Sequence, residues 1–275
     1  GTRRATTGGC VSLCPLASSV VPWPRRYAQQ VTITSTLVDQ GPFAASLAVS
    51  PDHRRASLDT DVRDALDAVR RQLGPDDDRP LQLWIEEVQP GDDARVAPDA
   101  TPYRDLHQLR RPLPAAPSGL TTRAFDVDTD LGAFIEVNNR AFSWHPEQAG
   151  LTAERVRATM AEPWFDADGF RILELEGRMA GFCWTKVHHD HSPTLGEIYV
   201  IAVDPDFHGR GLGGPMTLAG LEWLSDQGIS RANLFVESDN AAALRTYDRL
   251  GFELHSINRA YTSSSAPPPG ERSRS

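Results

Sequence analysis

The stretch LGEIYVIAVDPDFHGRGLGGPMTLAGLEWL, residues 195–224, decides the fold of the second half of the chain. A buried strand is predicted over 197–203, where Ile198, Val200 and Ile201 supply β-branched apolar bulk, and Pro205 ends it because proline cannot donate to a sheet. Glycines at 209, 211 and 213 follow, and apolar residues then recur at helical spacing over 216–224. Glycines directly before a helix let several backbone N–H groups point at one anion. The stretch therefore predicts a strand, an anion-binding loop and a helix.

A second motif, NAAALRTYDRLGF at 240–252, follows one further predicted strand. Asn240 and Tyr247 share one face of the helix that this motif predicts. Together with Val203-x-Pro205 and the glycine loop, the motif resembles the GNAT N-acetyltransferases, which use acetyl-CoA. The resemblance implies that Asn240 contacts the pantetheine arm and that the Tyr247 phenol protonates the leaving thiolate. The alternative is that Tyr247 is only an aromatic residue of the core.

Length, charge and cysteine content limit the classes of protein to consider. The 275 residues are enough for two domains, and the net charge of −9 argues against a general nucleic-acid binder. No apolar run is long enough to span a membrane. The three cysteines lack metal-ligand spacing, which favours a reducing compartment. We therefore expect a cytoplasmic monomer that acts on a small molecule, without a nucleic-acid or membrane partner.

The first half of the chain repeats the order strand, loop, helix, strand. Val49-x-Pro51 ends a predicted strand, a helical stripe covers 58–73, and 81–88 reads as the next strand. Ser57 and Asp59 stand where the second copy has glycines, and a Cβ or a carboxylate there opposes pyrophosphate binding. This pattern indicates a degenerate copy of the GNAT-like domain. The alternative is an unrelated αβ segment with a chance Val-x-Pro.

The expected fold class is α/β (α+β), with two tandem GNAT-like domains, each a mixed central sheet flanked by helices. We predict a degenerate or truncated N-terminal domain at 1–113, in which residues 1–40 have no clear assignment. The proline-rich segment 114–119 would be the linker, and 120–262 the catalytic domain. The Ser-, Pro- and Arg-rich segment 263–275 reads as a disordered tail.

Acetylation requires a neutral amine and therefore a group that takes its proton. Glu197 is the candidate base, since apolar neighbours at the start of its strand would raise the pKa of its carboxyl group. The alternative is an ordinary exposed carboxylate on a strand. Lys186 is the one lysine among 28 basic residues, which indicates either a role that arginine cannot fill or chance survival.

The cluster of His188, His189, Asp190 and His191 could suggest a metal site. Adjacent histidines in one loop rarely converge on an ion, and no distant ligand stands out in the sequence. We therefore expect no metal cofactor.

Residues 134–261 carry a narrower resemblance, in the strings VNNRAFSWHPEQAG, EPWFDADGF, LGEIYVIAVDPDFHGRGLG and LFVESDNAAALRTYDRLGF. These are similar to tandem GNAT enzymes whose second domain is active. Such enzymes transfer acetyl from acetyl-CoA to the cysteinyl amine of a pseudodisaccharide, cysteinyl-glucosaminyl-inositol. The resemblance therefore implies the same reaction here.

The resemblance also implies roles for individual residues. Glu147, Lys186, Glu197 and Phe235 would contact the substrate, although Phe235 stands where these enzymes usually have tyrosine. Tyr261 would be a second candidate acid beside Tyr247. The residues implied to hold acetyl-CoA are Ile201, Ala202, Val203, His208, Gly209, Arg210, Gly211, Leu212, Gly213, Gly214, Asn240, Ala241, Ala242, Ala243, Leu244 and Arg245.

One further departure from these enzymes and two other functions stay open. Gly214-Pro215 replaces a basic-Ala pair at the helix start, which removes a charge on the phosphate side, although proline suits a first helical turn. The acceptor could instead be another amine, such as a protein N-terminus. The chain could also bind CoA without turnover, as the degraded first copy suggests.

Overall fold

The computed structural model describes residues 12–13, 33–38, 42–74, 76–143 and 150–263. The strands are β1 (Ser12–Leu13), β2 (Ile33–Leu37), β3 (Ala45–Val49), β4 (Leu81–Ile85), β5 (Thr101–Pro112), β6 (Arg123–Ala124), β7 (Phe170–Leu175), β8 (Arg178–His188), β9 (Leu195–Val203), β10 (Arg231–Glu237) and β11 (Glu253–Ser263). The helices are α1 (Leu58–Leu73), α2 (Asp92–Val96), α3 (Val127–Ala141), α4 (Ala153–Met160), α5 (Gly213–Asp226) and α6 (Ala241–Arg249).

The described residues form two compact units. The first unit contains β1 and the described part of 107–255, and the second contains the described part of 19–106 together with 256–263. These units divide between 106 and 107 and between 255 and 256, whereas the sequence predicts domain ends at 113 and 262. The predicted domains stay a prediction, and the two divisions differ because strands β5 and β11 each continue from one unit into the other.

The first unit is built on a mixed sheet in the order β6-β7-β8-β9-β10. Strands β9 and β10 are parallel, and the other neighbouring pairs in this order are antiparallel. Helix α5 lies close to the sheet, since a Cβ on Gly220 would come within 2.5 Å of Cys183 Sγ. The side chain of Phe134 in α3 packs edge-on against Phe182 and Trp184 of β8. Both faces of this sheet are therefore covered, and β9 is buried along its whole length.

The second unit has its own mixed sheet, in which β2 and β3 are antiparallel and β3 and β4 are parallel. Helix α1 connects β3 to β4 and buries Leu58, Val62, Leu66 and Val69 in the core. The order β3-α1-β4 repeats the order β9-α5-β10 of the first unit, with parallel strands in both. The α/β class with a mixed sheet flanked by helices is thus confirmed.

Strands β5 and β11 are each divided between the two units. From His107 onward β5 is part of the first unit, where it neighbours β10. Residues 256–263 of β11 are part of the second unit, where Arg259 to Ser263 pair antiparallel with Ile85 to Leu81 of β4. Each unit therefore contains strand residues from both halves of the sequence. None of the helices in the described residues has the length and apolar character that crossing a membrane requires.

Candidate active site

Strand β9 separates from β10 half way along its length. Its parallel pairing runs from Gly196, opposite Ala232, to Ile198, opposite Leu234. On its other side the pairing with β8 shifts, because Trp184 faces Val200 while Thr185 faces Ile198. Tyr199 is therefore an extra residue, a β-bulge that bends the strand. Beyond the bulge, the edge of β9 turned away from β8 pairs with β1 at Val200 and Ile201.

A glycine loop follows the end of β9, as the sequence predicts. Gly209 and Gly211 have φ angles of +80° and +72°, which residues with a Cβ rarely adopt. Helix α5 then begins at Gly213, and its N-cap residue Leu212 makes no side-chain cap. The N–H groups of the first turn are consequently left to the loop, at the positive end of the helix dipole. This geometry suits a phosphate group.

Two side chains of the loop have local partners. A ring nitrogen of His208 lies 2.9 Å from the carbonyl oxygen of Val203. The Arg210 guanidinium lies over the Phe207 ring, 4.7 Å from its centroid, and donates to Glu176. These contacts hold the loop onto the end of β9 and onto the β7–β8 turn. The predicted roles of His208 and Arg210 in holding acetyl-CoA stay predictions.

The second motif forms helix α6, which lies close to the start of α5. The side chain of Asn240 caps this helix by accepting from the N–H of Ala243. A Cβ on Gly214 would lie 3.8 Å from Thr246, so the start of α5 is close to α6. Tyr247 is fully buried and packs edge-on against Phe252, with ring centroids 5.7 Å apart. The structure therefore brings the two sequence motifs together in the first unit.

Glu197 lies one residue before the last paired position of β9 and β10, and only 2% of it is exposed. It faces Lys186 across the antiparallel ladder with β8 and Asn233 across the parallel ladder with β10. Its Oε2 lies 2.5 Å from Nε2 of His188. The exposed-carboxylate alternative is therefore wrong, because the side chain is enclosed by the sheet and its neighbours.

Aromatic rings line the same face of the sheet. Lys186 Nζ lies 4.6 Å from the ring centroid of Trp164 and 5.7 Å from that of Tyr199. Such contacts attract a cation through the negative face of the ring. Trp184 stands behind them, 5.4 Å from Tyr199. Phe235, the other predicted substrate contact, is two residues beyond Asn233 on β10 and is half-buried.

One predicted site residue lies outside the described residues, and another belongs to the second unit. Glu147 lies outside the described residues. Tyr261 is in the second unit, fully buried in its core, and its hydroxyl donates to Asp93 at 2.5 Å. Burial and the bond to this carboxylate raise the pKa of the Tyr261 phenol above its usual value. A phenol held in this way is a poor proton donor to a thiolate.

The histidine loop after β8 brings three possible ligands together. Donor atoms of His188, Asp190 and His191 lie within 4.8 Å of one another. Nε2 of His188 is already bonded to Glu197, and His191 and Asp190 pair with each other at 3.1 Å. We assign no ion to these residues.

Sequence reasoning missed three residues of the site: His188, Asn233 and Trp164. The alternation of β8 carries a signal for His188, because residues two apart on a strand face the same side and Lys186 was already a candidate. Asn233 has no such signal, since its place beside Glu197 depends on the register of two parallel strands. Its buried Oδ1 has no hydrogen-bond partner among the described residues.

The acetyltransferase (GNAT) family matches residues 134–252, which contain both motifs. A protein of Actinosynnema mirum named mycothiol acetyltransferase is 44% identical over 221 residues, covering 77% of this chain and 72% of the relative.

Two solved structures resemble the fold. A GCN5-related N-acetyltransferase from Sphaerobacter thermophilus has a TM-score of 0.64 at 18% identity, covering 86% of this chain and 78% of that one. A tandem GNAT protein from the clavulanic acid biosynthesis pathway has a TM-score of 0.53 at 19% identity, covering 81% and 76%. At these identities the likeness concerns the fold alone, and it extends over both halves of the chain.

Proposed function

We propose a function from the family of this chain, because it belongs to the GNAT acetyltransferases and, within them, to the mycothiol acetyltransferases. It is an N-acetyltransferase that depends on acetyl-CoA. We propose that it transfers acetyl to the cysteinyl amine of cysteinyl-glucosaminyl-inositol and so forms mycothiol. The observation that carries the proposal is the buried carboxylate of Glu197 at the point where β9 and β10 separate.

The chain offers acetyl-CoA two kinds of backbone site. The open start of α5, with the positive φ angles of Gly209 and Gly211, suits the pyrophosphate. The edge of β9 beyond the Tyr199 bulge offers N–H and C=O groups to the amide-bearing pantetheine arm. In this structure β1 pairs with that edge at Val200 and Ile201, so the arm would take its place there. The Nδ2 amide of Asn240 is the part of that side chain that could reach the same arm, since Oδ1 caps α6.

Glu197 is proposed as the base that makes the acceptor amine nucleophilic. The amine is an ammonium near neutral pH and cannot attack until it loses a proton. A carboxylate enclosed among apolar strands holds a fixed direction, which a solvated carboxylate does not. Its place beside the separation of β9 and β10 supports contact with an amine that approaches the thioester there.

Tyr247 is proposed as the acid. Attack of the amine breaks the bond from the acyl carbon to sulfur, and the leaving thiolate then needs a proton. Tyr247 lies on α6 next to Thr246, which is close to the start of α5, so its phenol is in the unit that holds both motifs. Tyr261 is less suited, because its hydroxyl is bonded to Asp93.

The acceptor side of the site is polar and aromatic. The ammonium group of Lys186 lies near the rings of Trp164 and Tyr199. Phe235 lies on β10, two residues after Asn233. Sugar and inositol hydroxyls bind well to a charged donor, and their C–H faces stack on aromatic rings. These groups support a pseudodisaccharide amine better than a peptide.

The test uses the purified chain with acetyl-CoA and a panel of amines. The panel contains the cysteinyl pseudodisaccharide, the same compound without cysteine, free cysteine and a peptide with a free N-terminus. CoA is measured by chromatography and the product by mass, because the acceptor has its own thiol. We expect the cysteinyl pseudodisaccharide to be acetylated with the highest kcat/KM.

Other outcomes would redirect the assignment. Preference for the peptide would mean that the chain acetylates a protein N-terminus. Binding of acetyl-CoA without product from any amine would mean a CoA-binding protein without turnover.

A further inference from the structure

We propose that His188 is a positioning residue for Glu197 and the relay that passes the amine proton from this buried carboxylate to solvent. The inference rests on the proposed function, because it assumes that Glu197 is the base. It concerns a residue that contacts Glu197 and is two positions from Lys186 on the same strand.

The sheet brings His188 to Glu197 through register. Lys186 lies directly opposite Glu197 in the antiparallel pair of β8 and β9, and His188 lies opposite Leu195. Because residues two apart on a strand face one side, His188 is the diagonal neighbour of Glu197 on the same face. Nε2 of His188 lies 2.5 Å from Oε2 of Glu197. The imidazole therefore fixes the direction of the carboxylate.

Burial makes an exit for the proton necessary. The Glu197 side chain is 3% exposed, whereas that of His188 is 18% exposed. Water reaches the imidazole more readily than the carboxylate. His188 ends β8 and the chain then enters an exposed loop with Asp190 and His191, whose ring lies 5.4 Å from the His188 ring. The imidazole is thus the described group that joins the buried carboxylate to this exposed loop.

The reaction releases one proton in each turnover. An ammonium acceptor loses two protons when its nitrogen forms the amide, and the CoA thiolate takes one of them. The other passes to Oε2 of Glu197 in this scheme and must leave before the next cycle. Nε2 of His188 accepts it from Oε2, and Nδ1 of the same ring releases a proton to water. A flip of the ring, or proton exchange with water, then restores the Nδ1–H tautomer before the next cycle. Imidazole suits this step because its charge changes between about pH 5 and 8.

Charged and titratable groups lie around the imidazole on two strands and in the following loop. Glu197 faces it from β9, Lys186 lies two positions back on β8, and Asp190 and His191 lie in the following loop. The imidazole of His188 is therefore close to one buried carboxylate, that of Glu197, and to one exposed carboxylate, that of Asp190.

The experiment compares three variants in the whole chain. His188→Gln keeps an amide nitrogen near the position of Nε2 but cannot carry a proton, so it separates positioning from relay. His188→Ala removes both and leaves room for added imidazole. His189→Gln is the matched control, since His189 is the exposed neighbour in the same loop.

We expect kcat of His188→Ala to fall about 10²-fold and to be partly restored by imidazole, with KM for acetyl-CoA unchanged. In His188→Gln, kcat should fall less, and the wild-type inflection of kcat between about pH 5 and 8 should disappear. His189→Gln should behave as wild type. Rescue by imidazole distinguishes loss of the relay from loss of folding, because added imidazole would not restore activity to a misfolded chain.

Wild-type kcat and pH profile in both His188 variants would overturn the relay. So would a folded His188→Ala variant that binds acetyl-CoA, is slow and does not respond to imidazole. If His188→Ala does not fold, the pH profile of His188→Gln decides alone. Failure of the wild type on the cysteinyl acceptor refutes the proposed acceptor instead, and the relay is then measured on any amine that is acetylated. A wild type that acetylates none overturns both.

Discussion

At the scale of single residues, the site depends on a carboxylate that the fold removes from water. Glu197 is enclosed by β8 and β10. It contacts the imidazole of His188 and lies opposite Lys186 on β8 and Asn233 on β10. Loss of one member of a buried polar group leaves its partners without their bonds. Changes here are therefore expected to affect turnover more than acetyl-CoA binding, which uses the loop and the edge of β9.

Glu197→Gln keeps the shape of the side chain and removes its basicity. We expect kcat to fall about 10²-fold or more, since the amine then keeps its proton. KM for acetyl-CoA should stay near the wild-type value. Steady-state kinetics over pH measure this, with the exposed Glu162→Gln as control. An unchanged pH–rate profile would remove Glu197 from the role of base.

The two tyrosines are expected to behave differently when the hydroxyl is removed. Tyr247→Phe should lower kcat about 10-fold or more, if its phenol protonates the thiolate. Tyr261→Phe should leave kcat near the wild-type value and lower the free energy of unfolding by about 1–3 kcal/mol, since it loses a hydrogen bond to a carboxylate. Kinetics and denaturant unfolding of both variants measure this. The reverse pattern would make Tyr261 the acid.

The Tyr261 phenol also predicts a pH dependence of stability. Its pKa is raised in the folded state, first by burial and then by Asp93. The stabilisation is therefore present below the unfolded tyrosine pKa, about 10, and is lost as pH rises above it. Tyr261→Phe should flatten this alkaline decline of the unfolding free energy. An equal decline in the variant would contradict the interpretation.

At the scale of elements, the site is a strand that bends away from its neighbour before a glycine loop. The pairing of β9 with β10 ends at the Tyr199 bulge. The glycine loop that follows β9 then leads into the start of α5. Neither the bulge nor the loop needs a particular side chain at the phosphate. The backbone itself is the binding surface, so substitutions that alter its φ angles are the informative ones.

Gly211→Ala places a Cβ on a residue with φ of +72°, in open space. The added atom meets no neighbour, so the cost comes from the backbone, which must shift the loop. We expect KM for acetyl-CoA to rise about 10-fold, the effect of about 1.4 kcal/mol of lost binding, with kcat much less changed. Isothermal titration with CoA measures the same loss directly.

Gly132→Ala is the matched control for this substitution. Gly132 lies in the interior of α3 with an ordinary φ, and a Cβ there also meets nothing within 4 Å. The change should stabilise the chain by about 0.5–1 kcal/mol and leave KM alone. A rise in KM in this variant as well would point to a general effect on folding.

At the scale of the whole molecule, each compact unit contains residues from both halves of the sequence. The first unit takes His107 to Pro112 from β5, and the second takes residues 256–263 from β11. The proline-rich segment 114–119 therefore joins two strands of the first unit, the end of β5 and β6. The first half of the chain thus contributes a strand segment to the first unit whether or not it binds CoA.

Two truncated chains test this arrangement. The chain of residues 107–255 retains the part of β5 that lies beside β10. The chain of residues 120–262 lacks β5, and it contains the end of β11 without its partner strand β4. An uncovered sheet edge invites aggregation. We expect 107–255 to have the higher melting temperature and to stay more soluble, as thermal unfolding and size-exclusion chromatography would measure. Equal melting of both chains would support the domain ends predicted from the sequence.

The sequence by itself determined the parts of the site that are local. Glycines 209, 211 and 213 require a backbone that only glycine adopts readily, and the helix after them follows from apolar spacing. The second motif and the mixed α/β class are likewise read from residues close in the chain. Glu197 was identified because it opens the strand that leads into the loop.

The tertiary structure alone decided which side chains meet. His188 contacts Glu197, Asn233 lies beside it and Tyr199 forms the bulge, because the registers of β8, β9 and β10 bring them there. The division of β5 and β11 between the two units is likewise visible only in the tertiary structure. Alternation in a sequence shows which residues share a face of a strand but not which strand lies beside it. That choice depends on packing across both faces of the sheet, which involves residues far apart in the chain.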